Sequence, residues 1–133
     1  GTEIGMSHTV DIHQTFGGDS YAREDMIWDR AQWDEELLDF YRQLIALRHK
    51  QAAVRYGERV TLTVDDTAQT YAYAHHWQGE TVLTALNLSA ETQVVPLPES
   101  GRSELLLSSG AKAALTEDGV VLPAKTAVVV KLT

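Results

Sequence analysis

The 133-residue chain has no cysteine, three prolines and eleven Lys and Arg residues against nineteen Asp and Glu. Each shortage excludes something. Without thiols there are no disulfides and no thiolate metal sites, although this alone does not separate cytoplasm from outside; localisation stays open, with the cytoplasm the favoured expectation and secretion the alternative. The acidic excess gives a formal net charge of −8 at pH 7. Such a surface repels phosphate backbones and anionic lipid head groups, so neither nucleic acid nor a membrane is an expected partner. No run approaches the roughly 20 apolar residues of a membrane span, and the opening GTEIGMSHTV has no basic segment ahead of an apolar one, which predicts neither an anchor nor a signal peptide. What is present is 44% hydrophobic and 23% charged residues, a composition that folds around one core.

Three zones follow one another. Residues 1–30 hold four of the nine glycines and no sustained periodicity; they read as loop, with GTEIGM as the tail of a strand. Residues 31–56 are the second zone, and the segment WDRAQWDEELLDFYRQLIALRHK that leads into it, residues 28–50, places Trp33, Leu37, Phe40, Tyr41, Leu44, Ile45 and Leu47 at spacings of three and four. That predicts an amphipathic helix over about 32–50, acidic at its start and basic at its end as the helix dipole favours. Asp29 or Asp34 is its cap, and the sequence does not choose between them. Residues 57–133 break into short runs rich in Val, Leu, Thr and Tyr: RVTLTV, TYAYAHHW, ETVLTALNL, TQVVPL, SELLLS, AKAAL, VVLP and TAVVVKL. Turn signals separate them at Asp65-Asp66, Gln78-Gly79, Glu99-Ser100-Gly101, Ser109-Gly110 and Asp118-Gly119. The fold class expected is mainly β: an antiparallel sandwich of Greek-key type preceded by one helix and an irregular N-terminal segment.

The order of the motifs is more specific than any one of them. GTEIGM, GGDSYAR, MIWD, LLDFYRQLIALRH, YAYAHHWQGETVLTALNLS, ELLLSSG and GVVLPAKTAVVVKL together resemble the C-terminal end of an α-amylase family enzyme (glycoside hydrolase family 13). The likeness is greatest to the neopullulanase, cyclomaltodextrinase and maltogenic amylase group, with the α-glucosidases next. It implies that residues 1–30 end the eighth barrel strand and form the loop after it. Residues 31–56 would be the last barrel helix and its connection, and residues 57–133 the C-terminal sandwich. Thr2 stands where the family has Asp. The spacing of Asp19 and Arg23 matches a family pair that contacts the sugar, although the Pro and Cys usual between them are absent and Glu24-Asp25 replaces the Arg-Pro that often follows.

Retaining glycosidases need two carboxyl groups about 5 Å apart. By the resemblance these, and a third supporting carboxylate, lie upstream of residue 1. The chain alone is therefore expected to be catalytically silent, with no cofactor, and its partners to be the catalytic barrel and that enzyme's α-glucan or malto-oligosaccharide substrate.

Other candidates are weaker. Asp11 and His13 form a DxH and His75-His76 a second pair. Adjacent strand residues point to opposite faces, so the pair cannot chelate one ion, and surface polar histidines are expected instead of a metal site. Glu24, Asp25 and Asp29 lack a walled pocket that would split their acidities into acid and base, and read as a solvated charge run. Trp33, Phe40 and Tyr41 are expected in the core. Tyr71, Tyr73 and Trp77 alternate along one strand; that face stacks on sugar rings in a carbohydrate-binding module, or packs against the helix or the opposing sheet. Asn87-Leu88-Ser89 is formally a glycosylation triplet but fits a strand end. A plain interaction or linker domain is the remaining alternative.

Overall fold

The computed structural model describes residues 1–7, 23–98 and 102–133, in two compact units, Gly1–Leu44 and Ile45–Thr133. In the first unit, Thr2–Ile4 form a 3-10 turn rather than the strand tail read from GTEIGM. A strand needs a neighbouring chain for its N–H and C=O groups. Here Ile4 N donates to Gly1 O at 3.2 Å, Gly5 N to Thr2 O at 3.1 Å, and Ile4 O accepts from Asp34 N at 3.0 Å.

Both candidate aspartates are caps. Asp29 Oδ1 accepts from Ala31 N at 3.1 Å and opens a 3-10 turn over Arg30–Gln32. Asp34 Oδ1 accepts from Leu37 N at 2.9 Å and starts helix α1, Glu35–Lys50. The helix begins at Glu35 rather than near residue 32 because Trp33 between the two turns is extended, at φ −83° and ψ 142°. None of its residues is buried. Trp33, Phe40 and Tyr41, expected in the core, are half-buried, and Leu44 and Ile45 are exposed. A stripe at helical spacing specifies a face but not the layer that will cover it.

The second unit continues through a short helix α2, Ala52–Tyr56, into the strands β1 (Glu58–Asp65), β2 (Thr70–Trp77), β3 (Glu80–Asn87), β4 (Gln93–Val95), β5 (Ser103–Ser108), β6 (Ala114–Thr116), β7 (Gly119–Leu122) and β8 (Thr126–Leu132). They form two antiparallel sheets, β1-β2-β3-β8-β5 and β4-β7-β6. The chain changes sheet after β3, β4, β5 and β7, the Greek-key sandwich expected from the turn spacing. Only AKAAL shifts appreciably, its strand lying over Ala114–Thr116.

Turn chemistry sets the register. Gln78 and Gly79, at φ 46° and 84°, make a two-residue hairpin that pairs Trp77 with Glu80. Asp65 Oδ1 accepts from Thr67 N and Ala68 N, closing the β1–β2 loop. At the β6–β7 turn Gly119 has φ 138°, and a Cβ there would lie 2.9 Å from Pro96 Cα and closer still to the Val95 carbonyl oxygen. Glycine alone lets the two backbones approach this closely. The edge strands β1 and β5 both carry register shifts, at Thr61/Thr63 and Leu105/Leu107, which interrupt the flat edges where further strands would add.

The core fills the space between the sheets. Strand β8 alternates without a fault: Thr126, Val128, Val130 and Leu132 are buried and the residues between them half-exposed. Facing small residues, Ala72 and Ala85, are fully buried in the same cluster as Leu83, Val120 and Leu122.

Candidate functional site

The inward residues of β2 are Thr70, Ala72 and Ala74, all buried, so its outward set is Tyr71, Tyr73, His75 and Trp77. Strand β1 adds Arg59, paired in register with His75. Its guanidinium lies 4.4 Å from the Tyr73 ring centroid and 5.8 Å from that of Tyr71, and donates to the Tyr71 hydroxyl. Tyr71 and Tyr73 rings are 5.6 Å apart, and Tyr73 meets His75 edge-on at 5.5 Å. Trp77 stands apart, because six residues of strand put it about 20 Å from Tyr71. It pairs instead with Tyr56 of α2 at 5.8 Å. The three aromatics named from the sequence therefore share a face but belong to two groups.

The same face continues across the sheet through Thr84 and Leu86 of β3 and Val129 of β8, all half-buried and in register with Tyr73, Tyr71 and Thr84 respectively. One end is covered by α2. Glu80 Oε1 accepts from Ala53 N at 3.0 Å, and Lys131 Nζ lies 3.8 Å from Glu80 Oε2. Ala53 and Val82 are fully buried although neither belongs to the cluster between the sheets.

His75 corrects the expectation of two surface histidines. Its Nδ1 is buried and has no hydrogen-bond partner among the described residues. Burial holds the imidazole pKa below its ordinary value, helped by the charges of Arg59 and Arg48 and by His76. His76 is exposed on the other face, its Nδ1 2.9 Å from Thr81 Oγ1. No group of three metal-capable side chains occurs among the described residues. Asp11, His13 and Asp19 lie outside the described residues, as does the Glu99-Ser100-Gly101 turn. Arg23, Glu24 and Asp25 are exposed, and Asp29 serves as a cap.

Sequence reasoning missed one buried polar centre. Asn87 is fully buried, and its Nδ2 donates to the carbonyls of Glu91 at 2.8 Å, Pro123 at 2.9 Å and Leu122 at 3.0 Å. Its Oδ1 accepts from Ser89 N at 2.9 Å and Ser89 Oγ at 2.7 Å. One side chain thus ties the end of β3 to the β7–β8 connection, and the Asn87-Leu88-Ser89 triplet has a structural use. The signal was available: Asn87 falls on the inward positions of β3 with Leu83 and Ala85, where a polar residue must be fully bonded.

Residues 57–129 match the family described as a domain of unknown function, DUF3459. A cyclomaltodextrinase from Geobacillus thermopakistaniensis (strain MAS1) is 35% identical over 108 residues, spanning 81% of this chain and 17% of that protein. Neopullulanase 2 from Thermoactinomyces vulgaris is 35% identical over 103 residues, 76% of this chain and 16% of that protein. The chain thus spans about a sixth of the length of these curated relatives. Among solved structures, trehalulose synthase MutB from Pseudomonas mesoacidophila MX-45 superposes with a TM-score of 0.61 at 29% identity, covering 73% of this chain and 18% of that one. An isomaltulose synthase variant from Erwinia rhapontici NX5 shares the fold at TM-score 0.62 and 22% identity. The chain belongs to the DUF3459 family, the C-terminal domain of α-amylase-family proteins.

Proposed function

We propose that this chain is the non-catalytic C-terminal part of an α-glucan-acting glycoside hydrolase, and that its sandwich covers and stabilises the catalytic barrel. The observation that carries the reading is the outward face of the large sheet. Tyr71, Tyr73, Thr84, Leu86 and Val129 form a broad half-buried surface with no second sheet over it among the described residues, while the opposite face of the same sheet is closed. Apolar faces of this kind mark the place of another layer. The aromatics serve packing in this reading, because the Tyr71 hydroxyl and the Tyr73 ring are already occupied by Arg59. Asp19 and Arg23 are assigned to sugar contact in the completed pocket, where a carboxylate accepts from hydroxyls and a guanidinium donates in a planar fork.

The test is complementation. A cyclomaltodextrinase deleted for its matching C-terminal segment is mixed with this chain, and thermal stability and release of reducing sugar are followed. Addition of the chain raises the melting temperature of the truncated enzyme, and a Leu86→Glu, Val129→Glu double variant does not. Reducing ends released from an α-glucan by the purified chain alone would overturn the reading, as would complementation unaffected by the double variant.

A further inference from the structure

The outward face of the large sheet carries charge of the minority sign. The chain has eleven Lys and Arg against nineteen Asp and Glu, yet three arginines gather at the end of this face near α2. Arg59 comes from β1, Arg55 from α2 and Arg48 from the last turn of α1, which belongs to the second unit. Each is fixed by neutral groups. Arg55 lies over the Tyr56 ring at 4.8 Å, Arg48 Nη1 donates to the Val54 carbonyl at 3.1 Å, and Arg59 sits over Tyr73 while donating to the Tyr71 hydroxyl. Among the described residues none of the three meets a carboxylate, whereas Arg30, Arg42 and Lys131 each do. Their field is felt at His75, where, after burial, the charges of Arg59 and Arg48 hold the imidazole below its ordinary value.

The neighbouring carboxylates are committed or turned away. Glu58 is next to Arg59 in sequence, but alternation puts it on the other face with His76. Glu80 Oε1 accepts from Ala53 N, and its Oε2 faces Lys131. Asp65 stands at the far end of β1, where its Oδ1 closes the β1–β2 loop. Glu104, in register with Lys131, belongs to β5 at the opposite edge of the sheet, four strand spacings or roughly 19 Å from β1.

We infer, resting on the covering role proposed above, that the barrel surface laid over this face presents a carboxylate to Arg59, which makes Arg59 the charged anchor of the contact. Charge decides the chemistry of the partner. The guanidinium lies on the ring of Tyr73, so a layer that covers Tyr73 takes Arg59 out of water as well. Arginine cannot shed its proton, and burying it without a counter-ion is strongly unfavourable. The Tyr71 hydroxyl takes one of the five N–H donors, and those left over suit the two oxygens of a carboxylate. Stacking holds the side chain in place before docking, so little freedom is lost when the partner arrives. Arginine among tyrosines and a tryptophan is also the composition of an interface hot spot. A second copy of this chain is a poorer occupant, because each copy carries a net charge of −8.

Association of the full 133-residue chain with the truncated cyclomaltodextrinase is measured by titration calorimetry at several salt concentrations. The parent affinity should fall as salt rises. Arg59→Met, which keeps the stem of the side chain, should weaken association about tenfold and flatten the salt dependence. Arg59→Lys should fall between the two, because the charge stays and the planar fork is lost. Urea unfolding of the isolated chains should be nearly the same for all three, since Arg59 is exposed on an edge strand. A second readout does not depend on affinity. The complex of the Arg59→Lys variant is treated with a water-soluble carbodiimide, which condenses an amine with an adjacent carboxylate into an amide. Mass spectrometry should find the introduced amine joined to an Asp or Glu of the truncated enzyme. No cross-link, or one formed only within the chain or between two copies of it, would overturn the anchor. If Arg59→Met binds as the parent does while the Leu86→Glu, Val129→Glu double variant does not bind, the covering role stands and the anchor alone fails. If the parent chain does not associate with the truncated enzyme, both fail.

Discussion

Strand β8 and helix α1 carry equally regular apolar patterns and meet different fates. Every second residue of β8 is buried, from Thr126 to Leu132, whereas α1 buries none of its sixteen. The strand's partners are supplied by the same second unit: β3 and β5 bond its two edges, and the smaller sheet closes its inward face. Among the described residues, the helix has the stripe without the layer. Periodicity therefore reports which face of an element is meant to be covered; only the topology shows whether the chain itself supplies the cover. The outward face of the large sheet is in the same position as α1, and these two surfaces are where the proposed barrel would add its contribution.

The comparison breaks most forcefully if the closed side is opened. Asn87→Ala removes five hydrogen bonds at a fully buried position. Each buried carbonyl left unpaired costs roughly 1–3 kcal/mol, and water entering the space recovers part of it. The expected loss is about 3 kcal/mol, which in a chain of this size lowers the melting temperature by about 10 °C. Urea unfolding of the variant and parent measures it. A loss within about 0.5 kcal/mol would mean that the ends of β3 and β7 are held by the sheets alone.

A smaller effect separates the covered end of the outward face from its open remainder. His75 is held neutral by burial first and by Arg59 and Arg48 next, so its folded-state pKa lies below the ordinary value of about 6.5. The sign follows from linkage. Above that ordinary value the imidazole is neutral in both states and its contribution is complete. As the pH falls below it, the unfolded chain takes up the proton first and stability is lost progressively towards the depressed folded value. Stability of the parent should therefore decline between neutral pH and pH 5, and His75→Gln should flatten that decline. Equal slopes for parent and His75→Gln would show that the buried Nδ1 gains a partner on protonation.

Much of this was legible in advance, for physical reasons that differ by element. The strands of the sandwich were readable because alternation over four to eight residues and turn residues with forced conformations, such as Gln78-Gly79, act locally. Helix α1 was readable from its spacing and charge order, but its start was not, because two acceptable caps five residues apart, Asp29 and Asp34, each open a turn. The burial of Trp33, Phe40 and Tyr41 was misjudged because cover is a tertiary property. At the site, Tyr71, Tyr73 and Trp77 were correctly placed on one face. Their division into two groups depends on Arg59 and Tyr56, which are 12 and 21 positions from the aromatics they meet.

The smallest effect is the one that best sharpens the comparison. Ile45 sits in the α1 stripe yet is 55% exposed. An aspartate there removes little buried area, and surface substitutions away from caps and cores stay within about 0.5 kcal/mol. Ile45→Asp is therefore expected to leave unfolding of the purified chain almost unchanged. In the complemented cyclomaltodextrinase the same change places a charge in what would be a buried contact, and the stabilisation supplied by the chain should fall measurably. A large loss in the isolated chain would mean that the stripe already has its cover, and the contrast between α1 and β8 would disappear. No loss in either setting would leave the stripe without a partner and confine the barrel contact to the outward face of the sheet.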